Sequence, residues 1–196
     1  MKKLALMLTI SVLAIAPAAS AQNHGEIGAF LDYTRLHHAG DANMLGLGGR
    51  IGFNVHSNVQ FEAEMAYDFE RAFTNISTTT LSNGSTTTST VRSNLRLWNG
   101  MFGPKFQTGG GAVRAFFTVK GGFLNFAVNN QAPAQGFATG TSFFLNGDTN
   151  GVFYPGGGLE FYAGPLGLRF EVGDEMYFDR GANNNLKITI GPQIRF

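Results

Sequence analysis

The stretch VQFEAEMAYDFE, residues 59–70, alternates apolar and polar side chains with a period of two. Successive side chains of a β-strand point to opposite faces, whereas a helix would spread these carboxylates around its circumference. The stretch therefore predicts a strand with one apolar face and one acidic face. The apolar face holds Val59, Phe61, Ala63, Met65, Tyr67 and Phe69, and the polar face holds Gln60, Glu62, Glu64, Ala66, Asp68 and Glu70.

Seven other segments show the same alternation, although less regularly. The eight predicted strands lie near residues 26–34, 44–55, 59–70, 95–107, 112–126, 152–163, 167–178 and 186–196. The connections alternate between short turns, at 56–58, 109–111 and 164–165, and longer loops, at 35–43, 71–94, 127–151 and 179–185. Short turns at one rim and long loops at the other are typical of outer-membrane barrels. The predicted fold is all-β: an eight-stranded antiparallel up-and-down transmembrane β-barrel.

Two of the long loops differ in composition. Residues 71–94 are rich in threonine and serine and poor in apolar side chains, so we expect a mobile loop there. Residues 127–151 contain Phe137, Phe143 and Phe144. We expect part of this second loop to continue the neighbouring strands above the membrane as a hairpin.

The N-terminal residues have the three regions of a secretory signal peptide. Lys2 and Lys3 precede an apolar run over residues 4–16, and Ala19-Ser20-Ala21 is a small-residue cleavage sequence. We therefore predict a cleaved signal peptide at residues 1–21 and one barrel domain at residues 22–196. Cleavage leaves 12 basic against 13 acidic residues, a balance that argues against nucleic-acid binding. The chain has no cysteine, which excludes disulfides and thiolate metal sites, and we expect no metal and no cofactor.

The location of charge decides which face of the barrel meets lipid. Only 14% of the residues are charged, compared with about 25% in an ordinary soluble protein. The polar strand faces carry nearly equal numbers of both signs: acids Glu26, Asp32, Glu62, Glu64, Asp68, Glu70, Glu160, Glu171 and Glu175, and bases Arg50, Lys105, Arg114, Lys120, Arg169, Lys187 and Arg195. Opposite charges in a narrow lumen must pair, so we place this face inside. The face assigned to lipid carries Leu45, Leu47, Ile51, Phe53, Phe117, Val119, Phe123, Leu168, Phe170 and Val172.

The charges expected to form the lumen network are Arg50, Glu62, Glu64, Asp68, Arg114, Lys120, Glu160, Arg169, Glu171, Lys187 and Arg195. We interpret this network as a stabilising, closed core, and the alternative is a narrow or gated channel. Asp174 is the one charged residue that the alternation places on the lipid-facing side. Either the strand has a bulge there, or Asp174 lies above the hydrocarbon region.

The last segment, LKITIGPQIRF at residues 186–196, is an alternating strand that ends in Phe196. A sheet edge left open in lipid would carry unsatisfied backbone groups, so the first strand must pair with this one. With its eight strands, the chain resembles the small outer-membrane β-barrel family that includes the OmpA membrane domain and OmpX. The resemblance implies residence in the cell outer membrane, contact with its lipid and lipopolysaccharide, and assembly by the barrel-assembly machinery, for which Phe196 is the signal.

One group of residues offers a catalytic alternative. His37, His38 and Asp41 lie together on the first long loop, hydroxyl side chains are plentiful on the second, and the family includes lipid A-modifying barrels. A hydroxyl, an imidazole and a carboxylate are the components of a nucleophilic triad, but triads are recognised by geometry and loops supply these residue types freely. We expect no enzyme activity and no metal at the two histidines. The function expected is that of a monomeric structural or surface-interaction barrel with an extracellular ligand at its loops.

Overall fold

The computed structural model describes residues 24–37, 42–80, 84–109, 111–130, 148–179 and 181–196. Eight strands account for nearly all of them: β1 Gly25–Leu36, β2 Ala42–His56, β3 Val59–Thr80, β4 Thr86–Gln107, β5 Val113–Asn130, β6 Asp148–Ala163, β7 Leu166–Phe178 and β8 Ala182–Arg195. The predicted signal peptide, His38, Asp41, Phe137, Phe143 and Phe144 lie outside the described residues. The described residues contain no helix long and apolar enough to cross a membrane.

The sheet closes on itself, and every strand is antiparallel to its two neighbours. β1 pairs with β8 in a ladder that runs from Glu26↔Arg195 to Leu36↔Asn185. At the end of the chain, the Phe196 amide donates a hydrogen bond to the Gly25 carbonyl at 2.9 Å. Closure leaves no open sheet edge, so the backbone N–H and C=O groups of the edge strands are hydrogen-bonded, as a barrel in lipid requires. The prediction of an eight-stranded antiparallel up-and-down barrel is confirmed.

The short connections lie at one rim, where β2 leads to β3, β4 to β5 and β6 to β7. The last of these turns uses Gly164, whose φ of 64° lies in the left-handed region that a residue without Cβ adopts at little cost. We call this the turn side and the opposite rim the loop side. The apolar side chains predicted to face lipid all point away from the lumen: Leu45, Leu47, Ile51, Phe53, Phe117, Val119, Phe123, Leu168, Phe170 and Val172.

The prediction of a loop at residues 71–94 is wrong for residues 71–80 and 86–94, which belong to β3 and β4. β3 and β4 remain paired from Arg71↔Leu95 to Thr80↔Thr86. The described pairing of β4 with β5 ends earlier, at Ser93↔Asn130, so the β3–β4 ladder extends beyond it. Threonine is a strong strand former because its β-branched side chain suits a pleated sheet, so polarity was a poor guide here. β5 and β6 also extend past their predicted ends, to Asn130 and from Asp148.

The prediction that Glu70 faces the lumen is also wrong. The β3–β4 register shifts between Asp68 and Arg71, so β3 carries an additional residue there. Such a bulge changes which face the following residues present. Asp68 is buried on the inside, whereas Glu70 is exposed and accepts a hydrogen bond from the Asn94 amide at 2.6 Å.

Asp174 faces outward, but no bulge accompanies it. The β7–β8 ladder passes through Asp174↔Leu186 without a register shift, and Leu186 is an exposed outward residue. The carboxylate interacts with the Asn185 backbone and with His37, which follows β1 at the loop side. The position near the loop-side rim is the physical reason that this outward charge is tolerated.

Candidate functional site

The barrel interior contains most of the charged side chains of the described chain. Of the predicted lumen network, the structure places ten members in the interior: Arg50, Glu62, Glu64, Asp68, Arg114, Lys120, Glu160, Arg169, Glu171 and Lys187. The eleventh, Arg195, is half-buried at the turn-side rim, where its guanidinium donates to the Gly164 carbonyl at 3.1 Å. Four further charges of the polar faces are buried with the network: Glu26, Asp32, Lys105 and Glu175.

Ten of the buried charges form one connected group, which we call the turn-side network. Its acids are Glu26, Glu62, Glu64, Glu160 and Glu171, and its bases are Arg50, Lys105, Arg114, Lys120 and Arg169. Equal numbers of both signs satisfy the requirement that charge buried in a narrow lumen be paired. The group therefore carries no net charge when all of its members are ionised.

Arg169 is the centre of the turn-side network. Its guanidinium makes two contacts with Glu62, one of them between Nη2 and Oε2 at 3.0 Å. The same group reaches Glu171 at 2.7 Å and Glu160 at 3.2 Å, and it lies 4.0 Å from the centroid of the Phe116 ring. Its planar fork of donors suits this role because it contacts several carboxylates at once with little loss of side-chain entropy. The side chain is 1% exposed.

The two lysines connect the remaining carboxylates. Lys105 Nζ lies 2.8 Å from Glu26 and 2.7 Å from Glu160, at the turn-side end of the network. Lys120 Nζ lies 2.7 Å from Glu64 and 3.1 Å from Glu171, closer to the middle of the barrel. Each lysine has at least two acidic partners, so removing one carboxylate leaves neither of them unpaired.

Four more charges lie above the turn-side network and form what we call the loop-side cluster: Asp32, Asp68, Glu175 and Lys187. Lys187 Nζ contacts Asp32 and lies 3.4 Å from Glu175 Oε2. The Asn99 amide donates to Glu175 across the barrel at 3.0 Å. The cluster therefore contains three acids and one base.

Apolar side chains fill the lumen at the loop side, and we call this group the apolar cap. It consists of Leu36, Ala42, Met44, Leu95, Leu97, Met101, Leu124, Phe126, Val152, Tyr154 and Tyr177, all at most 5% exposed. Sequence reasoning missed this group because it treated the inward face as polar throughout. The signal was available: Leu95, Leu97 and Met101 have the same parity along β4 as the inward Lys105.

The candidate triad combines residues of the first long loop with a hydroxyl of the second, and its first-loop members are only partly among the described residues. His37 follows β1 at the loop-side rim and interacts electrostatically with Asp174, while His38 and Asp41 lie outside the described residues. Among the described residues, no group of three or more histidine, cysteine or acidic side chains is arranged as a metal site. The interior charges are therefore the best-defined candidate site.

Replacement of Glu62 by alanine is expected to lower the free energy of unfolding by about 2 kcal/mol, since a hydrogen bond to a charged group contributes about 1.5–3 kcal/mol. Arg169, Lys105 and Lys120 all contact Glu62, but each keeps another acidic partner. Insertion should persist. Unfolding in detergent micelles, followed by circular dichroism, measures the loss.

The matched control for this prediction is Glu70→Ala, on the same strand but exposed, which should change stability by less than about 0.5 kcal/mol. Glu64→Ala should behave like Glu62→Ala, because its partners Arg50 and Lys120 also contact Glu171. Equal stability of the Glu62 and Glu70 variants would show that the buried network does not stabilise the barrel.

Three solved structures resemble this chain in fold. The attachment invasion locus protein Ail of Yersinia pestis is 12% identical, with 88% of this chain and 97% of Ail covered and a TM-score of 0.53; Ail has also been crystallised with the heparin analogue sucrose octasulfate. The N-terminal barrel domain of Pseudomonas aeruginosa OprF is 16% identical, with 89% and 98% covered and a TM-score of 0.52. Neisserial surface protein A is 9% identical, with 88% and 96% covered and a TM-score of 0.54.

No protein-family model and no curated protein sequence matches the chain. At these identities the similarity is one of fold: the chain has the fold of the small eight-stranded outer-membrane β-barrels.

Proposed function

We propose that this protein is a surface-interaction barrel of the cell outer membrane, with a closed, charge-paired core and loop-side elements that bind an external ligand. The observation that carries the proposal is the β3–β4 hairpin. Beyond Ser93, β4 continues to Thr86 against β3, which is roughly 20 Å of paired strand above the rest of the described sheet. A paired hairpin that extends beyond the rest of the sheet can hold a binding surface clear of the membrane.

Outside the lumen, the loop side of the barrel has no surplus of either charge, which favours a ligand that is not recognised mainly by its charge. The four predicted long loops and the outward-facing charged residues near them carry equal numbers of basic and acidic residues: Arg35, Arg71, Arg92, Arg96 and Arg180 against Asp41, Glu70, Asp148, Asp174 and Asp179. A polyanion such as the heparin analogue that Ail binds would be attracted by a surplus of basic residues, which this chain lacks. The expected ligand is a polypeptide or a neutral glycan, recognised by backbone groups and by the hydroxyl-rich composition of the hairpin.

Excision of the hairpin tests this function. In the test variant a two-residue Asn-Gly turn replaces residues 74–92 and connects Phe73 to Ser93, which are partners in the β3–β4 ladder. In the matched control the same turn replaces only residues 81–85, so the paired arms remain. Cells that display each protein at equal surface levels are assayed for retention on immobilised extracellular-matrix proteins and host cells.

The test variant should lose retention, and the control should keep it. Equal retention of the test variant and the intact protein would contradict a binding role for the hairpin.

The interior favours a closed core over the channel alternative. The turn-side network is fully paired, and the apolar cap lies between it and the loop-side rim with side chains at most 5% exposed. Moving an ion through apolar packing costs several kcal/mol because its hydration is lost. Pure protein in planar bilayers should give no steady conductance steps, and reproducible steps would establish the channel instead.

The enzyme alternative rests on His37, His38 and Asp41, of which only His37 is among the described residues. The partners proposed are outer-membrane lipid, lipopolysaccharide and the barrel-assembly machinery, with the protein acting as a monomer. The outward apolar side chains provide the lipid contact.

A lipid A-modifying activity is testable by mass spectrometry of lipid A from cells that carry a His37→Ala, His38→Ala variant.

Deletion of Phe196 is expected to reduce the amount of protein assembled in the outer membrane. The Phe196 amide and carbonyl join the last strand to His24 and Gly25, and the resemblance to other barrels assigns the terminal aromatic to recognition by the assembly machinery. The amount of folded barrel in membrane fractions, judged by its heat-modified gel mobility, measures the effect. Phe196→Tyr, which keeps the aromatic ring, is the control, and normal levels of the deletion variant would show that Phe196 is not the signal.

A further inference from the structure

The excess negative charge of the lumen is located in one place. Among the buried charges of the described chain, the turn-side network has five acids and five bases. The loop-side cluster has three acids, Asp32, Asp68 and Glu175, and Lys187 as its base. When all members are ionised, the cluster carries two uncompensated negative charges in a region that the apolar cap separates from the loop-side solvent.

The strand register brings these acids to one level of the barrel. Asp32 pairs with Gly46, which in turn pairs with Asp68, so two carboxylates flank a position that has no side chain. A Cβ added at Gly46 would lie 2.5 Å from Asp68 Oδ1, so any larger residue would displace this carboxylate. On the other side of the cluster, Glu175 pairs with Asn185.

A second observation points to a ligand. Six buried side-chain oxygens around the cluster have no hydrogen-bond partner within the described chain: Asp32 Oδ1, Thr34 Oγ1, Asp68 Oδ1, Asn99 Oδ1, Glu175 Oε1 and Asn185 Oδ1. The residues that carry them are at most 1% exposed. Most buried polar atoms in proteins are hydrogen-bonded, and a group of orphaned acceptors requires an explanation.

We propose that the loop-side cluster binds a hard divalent cation, with Ca²⁺ as the best match. Isolated buried carboxylates are too costly to persist as ions without a counter-charge, and one divalent ion neutralises the excess. All of the orphaned acceptors are oxygens, and Ca²⁺ takes six to eight oxygens from carboxylates, amide carbonyls and water in a flexible geometry. Mg²⁺ requires a stricter octahedron and gives up its water reluctantly.

The ligand set is mixed rather than purely acidic. Within the described residues no three carboxylates converge as a metal site. The ion is therefore held by one or two carboxylates together with neutral oxygens such as those of Asn99, Asn185 and Thr34. Because the apolar cap covers the cluster, the ion enters while the barrel folds and afterwards exchanges slowly.

The experiment uses the barrel refolded into uncharged detergent micelles without lipopolysaccharide, which would itself bind Ca²⁺. Refolding proceeds with excess CaCl₂ or with EGTA, free ion is removed, and bound calcium is measured by elemental analysis. We expect one calcium ion per chain. Before the free ion is removed, the thermal midpoint in CaCl₂ should be about 5–10 °C higher than in EGTA, as a ligand present at about 100 times its Kd gives for a domain of this size.

Variants locate the ion. Asp68→Asn and Glu175→Gln should abolish the bound calcium and the difference in midpoint, and Thr34→Val should weaken both. Asp174→Asn is the matched control: it is adjacent to Glu175 on β7 but faces outward, and it should bind calcium like the unaltered protein.

Absence of bound calcium together with equal midpoints in CaCl₂ and EGTA would overturn the proposal and would show that protons neutralise the cluster. Retention of calcium by Asp68→Asn and Glu175→Gln would also overturn it by placing the ion elsewhere. If a variant fails to refold, the bound calcium and the two midpoints of the unaltered protein still decide whether the barrel binds Ca²⁺.

Discussion

Replacement of Arg169 by methionine should lower the free energy of unfolding by about 3–5 kcal/mol, the cost of removing one partner from a buried ion pair. Methionine fills most of the same volume and keeps the contact with the Phe116 ring, so the loss measures charge rather than packing. Glu62 retains contacts with Lys105 and Lys120, but the interior is left with one more uncompensated negative charge than before. Burying that negative charge without a compensating base is the main cost.

Chemical unfolding in detergent micelles measures this loss, and Arg195→Met is the matched control. Arg195 is half-buried at the turn-side rim and lies over the Tyr162 ring at 4.5 Å, so its loss should cost less than about 1 kcal/mol. The double variant Arg169→Met, Glu62→Gln removes one charge of each sign and should recover part of the stability. If Arg169→Met were no less stable than Arg195→Met, the interior charges would not stabilise the barrel as a paired network.

The strands and their two faces were predictable because period two is a property of each strand alone. Residues 59–70 identify both faces of β3, and the terminal alternation up to Phe196 identifies β8 and its need for a partner. Closure followed from the same physics, since an open edge in lipid leaves backbone groups unsatisfied. These inferences required no knowledge of contacts between distant residues.

The features that sequence reasoning missed depend on neighbouring strands. Glu70 faces outward because the register with β4 shifts after Asp68, and the alternation of β3 alone does not predict that bulge. Threonine-rich residues 86–92 form a strand because β3 is available opposite them. The imbalance of the loop-side cluster emerges only when charges are grouped by their contacts, because the whole polar face looks nearly neutral.

The second large effect concerns the lipid-facing surface. Ile51 lies on the outward face of β2, 38% exposed, between the outward side chains of Ile27 on β1 and Ala63 on β3. Lysine at a mid-bilayer position on this face should cost about 2–4 kcal/mol, because the ammonium group is removed from water and has no acidic partner there. Unfolding of Ile51→Lys in phospholipid vesicles, followed by tryptophan fluorescence of Trp98, measures this cost.

Val55→Lys is the control for depth. Val55 is on the same face of the same strand, four residues nearer the turn side and 64% exposed, so its ammonium group reaches the interfacial water and should cost at most about 1 kcal/mol. A soluble barrel would tolerate lysine equally at both positions, since both side chains would meet water. Equal stability of the two variants would therefore contradict the assignment of the apolar face to lipid, whereas a depth-dependent cost can arise only if a hydrocarbon layer surrounds the middle of the barrel.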